Sequence, residues 1–398
     1  MDNKKPIHHQ VNVIEVSEIR AHPDPETTSL ELIFIDGFQV VVKKGHFHLG
    51  DLAYYIPPDS VVPEKEEYAF LWGNRIIEGG VPEKRRRVTV RRFRGEYSEG
   101  LLMPVPGAAP HGFGLTDTKG EYHRLNIGDD VSDILGIYHY NPPEPGVTLQ
   151  ERQPKWPRSI RGWVGLIKGW LKGERRERGI TLDLPTYDVQ NFKKISKSFV
   201  TGEWVRVTEK IHGSNARFIF KKGLIGEGVM YAGSRNLWLS PKSQDVWHRA
   251  LLDNPWIEAW CREYPNYCLY GEITPTQKGF NYGVPMDGGQ PKYIRFFLFD
   301  IRKPNGKWAE VKEYYELSQL LDKESLQDKF IDSWVPLLYD GPYNYNVIKT
   351  FIDGETVIYG SKHLREGVVI KTVPERNIPG LGRAQLKIVS NKYLEEEK

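Results

Sequence analysis

Short apolar runs separated by Gly, Pro and charged residues dominate the first hundred positions. Residues 11–16, 30–35, 38–42 and 52–56 each have the length of a strand. LELIFI and FQVVV flank Asp36-Gly37, a two-residue hairpin signal in which both turn positions are expected at positive φ. Residues 87–93 alternate Val88 and Val90 with Thr89 and Arg91, predicting a further strand. Several short strands within about 100 residues predict a small all-β barrel or sandwich. An OB-like barrel is the leading expectation, because the basic strand would give it a face for nucleic acid.

The pattern then changes twice. Residues 106–150 are rich in Gly and Pro and lack periodicity. In 158–172, Ile160, Trp163, Val164, Ile167, Trp170 and Leu171 recur at helical spacing beside Arg158, Arg161, Lys168 and Lys172. That predicts a basic, Trp-bearing helix that docks on the next domain, lies on a membrane surface or grips phosphates. From about residue 185 strands and helices mix. Strands are expected at 204–208, 216–220, 267–273, 293–301, 366–372 and 384–389, and helices near 241–264 and 311–322. Ser240-Pro241 reads as the cap of the first helix, and Pro255 must break or kink it. The expected fold class is α+β. An OB-like domain (1–107) and a linker with the basic helical insertion (108–184) precede a catalytic domain (185–398) of antiparallel sheets with flanking helices.

Composition narrows the function classes. The chain has 398 residues, long enough for more than one domain. No run of 18 apolar residues exists, and MDNKKPIHHQ has no apolar signal core, so an intracellular protein with no membrane partner is expected. Two cysteines exclude a disulfide framework and a Cys-rich zinc module. Net charge is only +3, but it is clustered: KRRRVTVRRFR at 84–94 holds seven cations and no anion, and 151–180 holds nine Lys/Arg against three Glu. Clustered cations beside aromatics are the footprint of a polyphosphate partner.

The chemistry centres on Glu209-Lys210-Ile211-His212-Gly213-Ser214-Asn215, where a β-branched strand runs into a lysine. A lysine amine that loses its proton is a nucleophile, and neighbouring cations and desolvation favour that loss. The glycine would let the backbone turn close to a phosphate. Alone, Lys-x-x-Gly is weak, and Lys303-Pro-Asn-Gly306 matches it too. An ordered series of downstream residues sets the first copy apart. Gly233-Ser234-Arg235 brings an arginine, and Tyr270-Gly271-Glu272-Ile273 ends a strand in a carboxylate. Phe296, Phe297, Phe299 and Asp300 form an aromatic strand. Glu366-Gly-Val-Val-Ile-Lys371 has an acid and a base at its ends, and Gln385-Leu-Lys387-Ile adds another lysine.

This ordered set resembles the collinear motifs of the covalent nucleotidyltransferases, polynucleotide ligases and capping enzymes. It is most similar to ATP-dependent RNA ligases. TEKIHGSN, with His where DNA ligases usually carry Asp, looks like their nucleophile motif. GHFHLGDLAYYIPPDSVVP and YSEGLLMPV are similar to the OB domain that precedes the transferase in one branch. Only 11 residues follow Lys387, which leaves no room for the C-terminal OB domain of capping enzymes and DNA ligases. One departure is Gln385, where the family often has the first of two lysines. Arg383 is the candidate substitute for that charge.

The resemblance implies ATP and Mg²⁺ or Mn²⁺ as cofactors, and as partners RNA ends in a duplex or nick, with no obligate protein partner. It implies Lys210 as nucleophile, His212 acting after it, and Lys371 and Lys387 on the α-phosphate. Glu366 would hold the metal, Glu272 and Arg235 the ribose and phosphate, Phe297 the adenine ring and Glu209 its edge. Arg91, Arg92, Arg94 and Asn215 would contact nucleic acid. Two alternatives stay open: a DNA ligase or other covalent nucleotidyltransferase, and a non-catalytic RNA-binding protein.

Overall fold

The structure is a computed structural model. It describes residues 9–73, 77, 79–105, 114–117, 120–140, 182–222, 228–319, 324–378 and 382–396. The basic helix expected at 158–172 lies outside the described residues.

The N-terminal domain is built on strand Leu52–Ile56, which pairs antiparallel with Asn12–Glu15 on one side and Leu101–Pro104 on the other. Its sequence, LAYYI, has no polar face. Tyr54 and Ile56 enter one core with Val11, Val13 and Val88, while Ala53 and Tyr55 enter a second with Ile33, Phe38 and Val40. A meander of Ile19–Ala21, Leu30–Ile35 and Phe38–Lys43 covers the second core. Residues beyond 105 also join this domain. Leu115, Leu125, Val131, Leu135 and Ile137 fill the first core, and Tyr138–His139 pairs with Ser60–Val61.

Two local expectations change. In the 36–37 turn only Asp36 has positive φ, at 53°. Gly37 is required by space instead, since a Cβ there would lie 2.9 Å from the Lys193 carbonyl oxygen of the C-terminal domain. The basic run is not one strand. Residues Glu83–Arg86 form a helical turn, Val88 and Val90 are buried, and only Arg91–Phe93 pairs, in a hairpin with Glu96–Ser98. Burial of both valines anchors the run at its middle and leaves the cations at its ends outside.

The C-terminal domain has two sheets facing across a cleft. One has the order Gln190–Asn191, Gln385–Val389, Gly367–Thr372, Trp204–Lys210 and Leu337–Pro342, with the first pair parallel. The other runs Val229–Gly233, Ser214–Lys221, Cys268–Thr274 and Arg295–Arg302, all antiparallel. Helices Val246–Asp253, Trp256–Glu263, Val311–Gln319 and Glu324–Asp332 cover the outer face of the second sheet. Trp247, Trp256 and Trp260, each at most 2% exposed, fill that layer. Each removes roughly 200 Å² from water, about 5 kcal/mol as an upper bound. Cys261 and Cys268 are both fully buried within this domain, and burial pushes the Cys268 thiol up to about 12.

Pro255 breaks the helical pattern as expected. The first helix, however, starts at Val246 rather than Pro241, because the Asp245 side chain caps it by accepting from His248 N at 2.9 Å. The stretch expected as one helix from 311 ends at Gln319, and a second helix follows from Glu324.

Candidate active site

Strand alternation sets the site. Lys210, at the end of its strand, shares a face with Thr208 and Arg206, and on neighbouring strands with Val369 and Lys387. The opposite face, Val205 and Val207, packs against Val368, Ile370, Leu386 and Ile388. Lys210 therefore emerges from a rigid sheet into a cleft of about 1580 Å³. The second sheet supplies Asn215 and Glu272, which are cross-strand partners. The N-terminal domain closes one side of the cleft with Asp59, Arg87, His139 and Tyr140.

The Lys210 amine lies 2.5 Å from Glu366 Oε1. Burial would raise the Glu366 carboxyl, but the Lys210 charge, with His212 beside it, outweighs burial and holds it at about 2. Glu272 is the opposite case: burial dominates and lifts it to about 7, with Glu366 adding to the rise and Lys210 opposing it. Lys387 is lowered, first by burial and then by the Lys210 charge. Arg235 enters the same field and is tied to Asp188 at 3.0 Å. His212 Nδ1 lies 2.7 Å from the Tyr393 hydroxyl and 3.7 Å from Glu366 Oε2. Lys210, His212, Arg235, Glu272, Glu366 and Lys387 are thus brought together.

Gly213 is needed for closeness rather than for an unusual φ. A Cβ there would lie 2.3 Å from the Ile273 carbonyl oxygen and 3.0 Å from Glu272 Cγ. The Lys-x-x-Gly spacing lets the Lys210 loop touch the strand that carries Glu272.

Other sequence-predicted residues are placed differently. Lys371 pairs with Arg206, four positions along from the Lys210–Gly367 pair, so it sits about 13 Å along the strand. Its amine is held by Asp300 at 3.0 Å and Glu375 at 3.5 Å. Asp300 is fully buried and also accepts from Arg383 at 2.6 Å and Tyr187 at 2.9 Å. Burial would raise its carboxyl, and the charges of Arg383 and Lys371 bring it below the usual range. Gln385 donates to the Tyr187 hydroxyl at 2.5 Å. Arg383 is thus engaged by Asp300 and Glu375, and Gln385 joins the same network without charge.

Glu209 alternates away from Lys210. Its Oε2 accepts from Val357 N at 3.0 Å, and its buried Oε1 has no hydrogen-bond partner. Phe297, 2% exposed, packs with Ile211, Tyr282 and Ile358 under Arg295, whereas Phe299 borders the cleft. Asn215 Oδ1 is buried without a partner. Arg91, Arg92 and Arg94 lie on the exposed N-terminal hairpin, where Arg92 is 3.9 Å from Glu395.

Sequence reasoning missed Asp188, Tyr187, Tyr282 and Tyr393, and named Asp300 only as part of the aromatic strand. None repeats at a motif spacing. Asp300, directly after the aromatic run, was the one with a signal: a carboxylate inside an otherwise apolar strand needs cations nearby.

Residues 202–389 match the family model for RNA ligases, and residues 11–105 match that of an OB-fold domain. No curated protein matches the chain by sequence. Among solved structures, the RNA ligase of Naegleria gruberi with pyrophosphate is similar at 23% identity and TM-score 0.67, covering 97% of this chain and 98% of that one. A variant of that ligase with ATP and Mn gives 22% identity and TM-score 0.65, covering 98% of each chain. Another, with AMP and Mn, gives 22% and 0.67 with the same coverage. At these identities the likeness establishes the fold over the whole length of both proteins. Residues 202–389 are thus an RNA ligase family region, behind an OB-fold region at residues 11–105.

Proposed function

We propose that this protein is an ATP-dependent RNA ligase that joins 5′-phosphate and 3′-OH ends at nicks in a duplex. The observation that carries this reading is Lys210, set at the floor of the cleft against Glu366 and within the field of Lys387 and Arg235. Lys210 Nζ attacks the α-phosphorus of ATP, the bond to the β-phosphate oxygen breaks, and pyrophosphate leaves. AMP then passes from Lys210 to the 5′-phosphate of the RNA. A 3′-OH attacks that phosphate and AMP departs. Such transfers need in-line placement and charge neutralisation more than strong acid–base groups.

The residues divide this work. Lys387 faces the phosphate that Lys210 attacks, and Arg235 with Glu272 holds ribose and phosphate. Adenine lies against the aromatic strand of Phe297 and Phe299, of which Phe299 borders the cleft. Lys371 contributes from further along the sheet, where Asp300 shares its charge.

The donor set fits a divalent cation. Glu366 and Glu272 offer carboxylate oxygens in one field. Among the described residues the tight group of three metal-ligating side chains is Asp117, Glu121 and His123 on the N-terminal domain, not at Lys210. One or two carboxylates completed by water and phosphate is the pattern of Mg²⁺. When bound, Mg²⁺ or Mn²⁺ held in part by Glu366 supplies positive charge beside the phosphates and the amine. The Naegleria gruberi enzyme, seen with ATP and Mn, supports both assignments.

Incubation with α-labelled ATP and Mg²⁺ tests the reading. Label is expected on the protein, lost in Lys210→Ala and retained in Lys303→Ala, whose lysine is paired with Glu313 on the surface. Label on Lys210→Ala would overturn it.

A further inference from the structure

The C-terminal helix Asn391–Glu396 belongs to no motif, yet it touches both the active site and the N-terminal domain. Tyr393 is 2% exposed, with its hydroxyl 2.7 Å from His212 Nδ1 and its ring 5.5 Å from the imidazole. The helix start is fixed locally. Ser390 Oγ accepts from Tyr393 N at 3.2 Å and donates to Asp353 Oδ1 at 2.7 Å. Its far end is fixed from the other domain, where the Tyr97 hydroxyl donates to Glu395 Oε2 at 3.1 Å.

Other groups stand around His212 as well. Phe280 stands 4.5 Å from the ring, centroid to centroid. The Tyr282 hydroxyl accepts from the His212 backbone N at 2.7 Å, which fixes the main chain but not the ring. Glu366 Oε2, at 3.7 Å from Nδ1, is beyond hydrogen-bond distance. A phenol hydroxyl held at 2.7 Å from one ring nitrogen fixes the ring plane, and where it donates to that nitrogen the ring proton lies on the other.

We propose that Tyr393 is a positioning residue for His212: its hydroxyl donates to Nδ1 and holds the imidazole with its proton on Nε2. His212 is thereby presented to the nucleic acid as a donor in the steps that follow lysyl-AMP formation. The inference rests on the ligase reading above and adds to it a residue of the C-terminal helix. The helix is a strut between the OB-fold domain and the loop of the nucleophile.

The test uses the full-length protein and Tyr393→Phe, which keeps the ring and removes the hydroxyl. Lysyl-AMP formation is measured with α-labelled ATP, and sealing with a nicked RNA duplex already adenylylated at its 5′-phosphate. Tyr393→Phe is expected to keep lysyl-AMP formation and to lose sealing by about ten-fold or more, the scale seen when an orienting partner is removed. His212→Ala should show the same split, and the double variant should seal no more slowly than His212→Ala. In ¹⁵N-histidine spectra, with His212 assigned from its alanine variant, wild type should carry the proton on Nε2, and Tyr393→Phe should give mixed tautomers. Unchanged sealing in Tyr393→Phe, or equal loss in both reactions, would overturn the proposal. So would an Nδ1-protonated His212 in wild type, a measurement that needs no variant at Tyr393. If wild type took no label, the ligase reading would fail, while the tautomer measurement would still judge the hydrogen bond.

Discussion

Glu272 and Glu366 show how two carboxylates in one cleft divide. Both are half-buried, but Glu366 touches the Lys210 amine and is held at about 2, while burial takes Glu272 to about 7. Their effects on stability have opposite signs. Between pH 4.5 and 7 the unfolded chain releases the Glu272 proton and the folded chain keeps it, so stability falls as pH rises through this window. Glu366 contributes stability above pH 4.5 that is lost as pH falls toward 2. For Glu272 the change is on the order of 3 kcal/mol. Urea unfolding of wild type and Glu272→Gln from about pH 4.5 to 8 should show the variant gaining on wild type up to about pH 7 and keeping a constant lead above it. Parallel curves throughout would mean an ordinary carboxyl. Gly213 gives a second expectation. Gly213→Ala should lose label uptake, because relieving the 2.3 Å approach to Ile273 must move the Lys210 loop. The same variant should lower stability by about 1–3 kcal/mol, read from its unfolding midpoint. The gathering of Lys210, Glu272, Glu366 and Lys387 in one cleft was legible in the sequence through the order of their motifs along the chain. Tyr393 was not, since what defines it is a neighbour 181 residues away in the chain, and Asp300 was legible only as the acid of the aromatic strand, without the lysine 71 residues away.

Among elements, strands were read more faithfully than helices. The nucleophile strand and its partners carry β-branched runs whose burial alternates, as in the pattern from Trp204 to Lys210. Helix starts were misplaced where capping overrode a proline signal, as at Asp245. The strand expected at 87–93 is shorter, pairing only over Arg91–Phe93, because the buried Val88 and Val90 decide the path of the segment before it. The hairpin of Arg91–Phe93 and Glu96–Ser98 remains the element proposed to grip phosphates. Arg92 is partly engaged, donating to the Gly95 carbonyl at 3.0 Å and lying near Glu395. Neutralising Arg91, Arg92 and Arg94 together should weaken binding to nicked duplex RNA and spare lysyl-AMP formation. The slope of log K against log salt should flatten by about 1.8 to 2.7 units, for two to three phosphates lost. An unchanged slope in a folded triple variant would mean that these arginines only solvate the hairpin.

At the scale of the whole molecule, the OB-fold domain is docked on the catalytic domain at two points. Lys193 meets Glu99 and the Gly37 turn, and the C-terminal helix meets Tyr97 and Arg92. The cleft between them, about 1580 Å³, exceeds the usual 300–1,000 Å³ of a small-molecule pocket, leaving room for a nucleotide and a strand end together. The two-part organisation was legible from the change of periodicity along the chain. The docking was not, because it depends on a glycine, an ion pair and a short tail with no repeating pattern. The placement of sulfur makes the two parts separable in the test tube. Both thiols of the protein, Cys261 and Cys268, are buried in the catalytic core, and the OB-fold domain has none. A thiol reagent is therefore a clock for the opening of one domain only. Native protein should stay unlabelled, and in rising urea both sulfurs should react together as the tryptophan layer opens, whatever the OB-fold domain is doing. Mass spectrometry of the adducts would read this out, and a singly labelled species in native buffer would show that the layer breathes locally rather than opening as a unit.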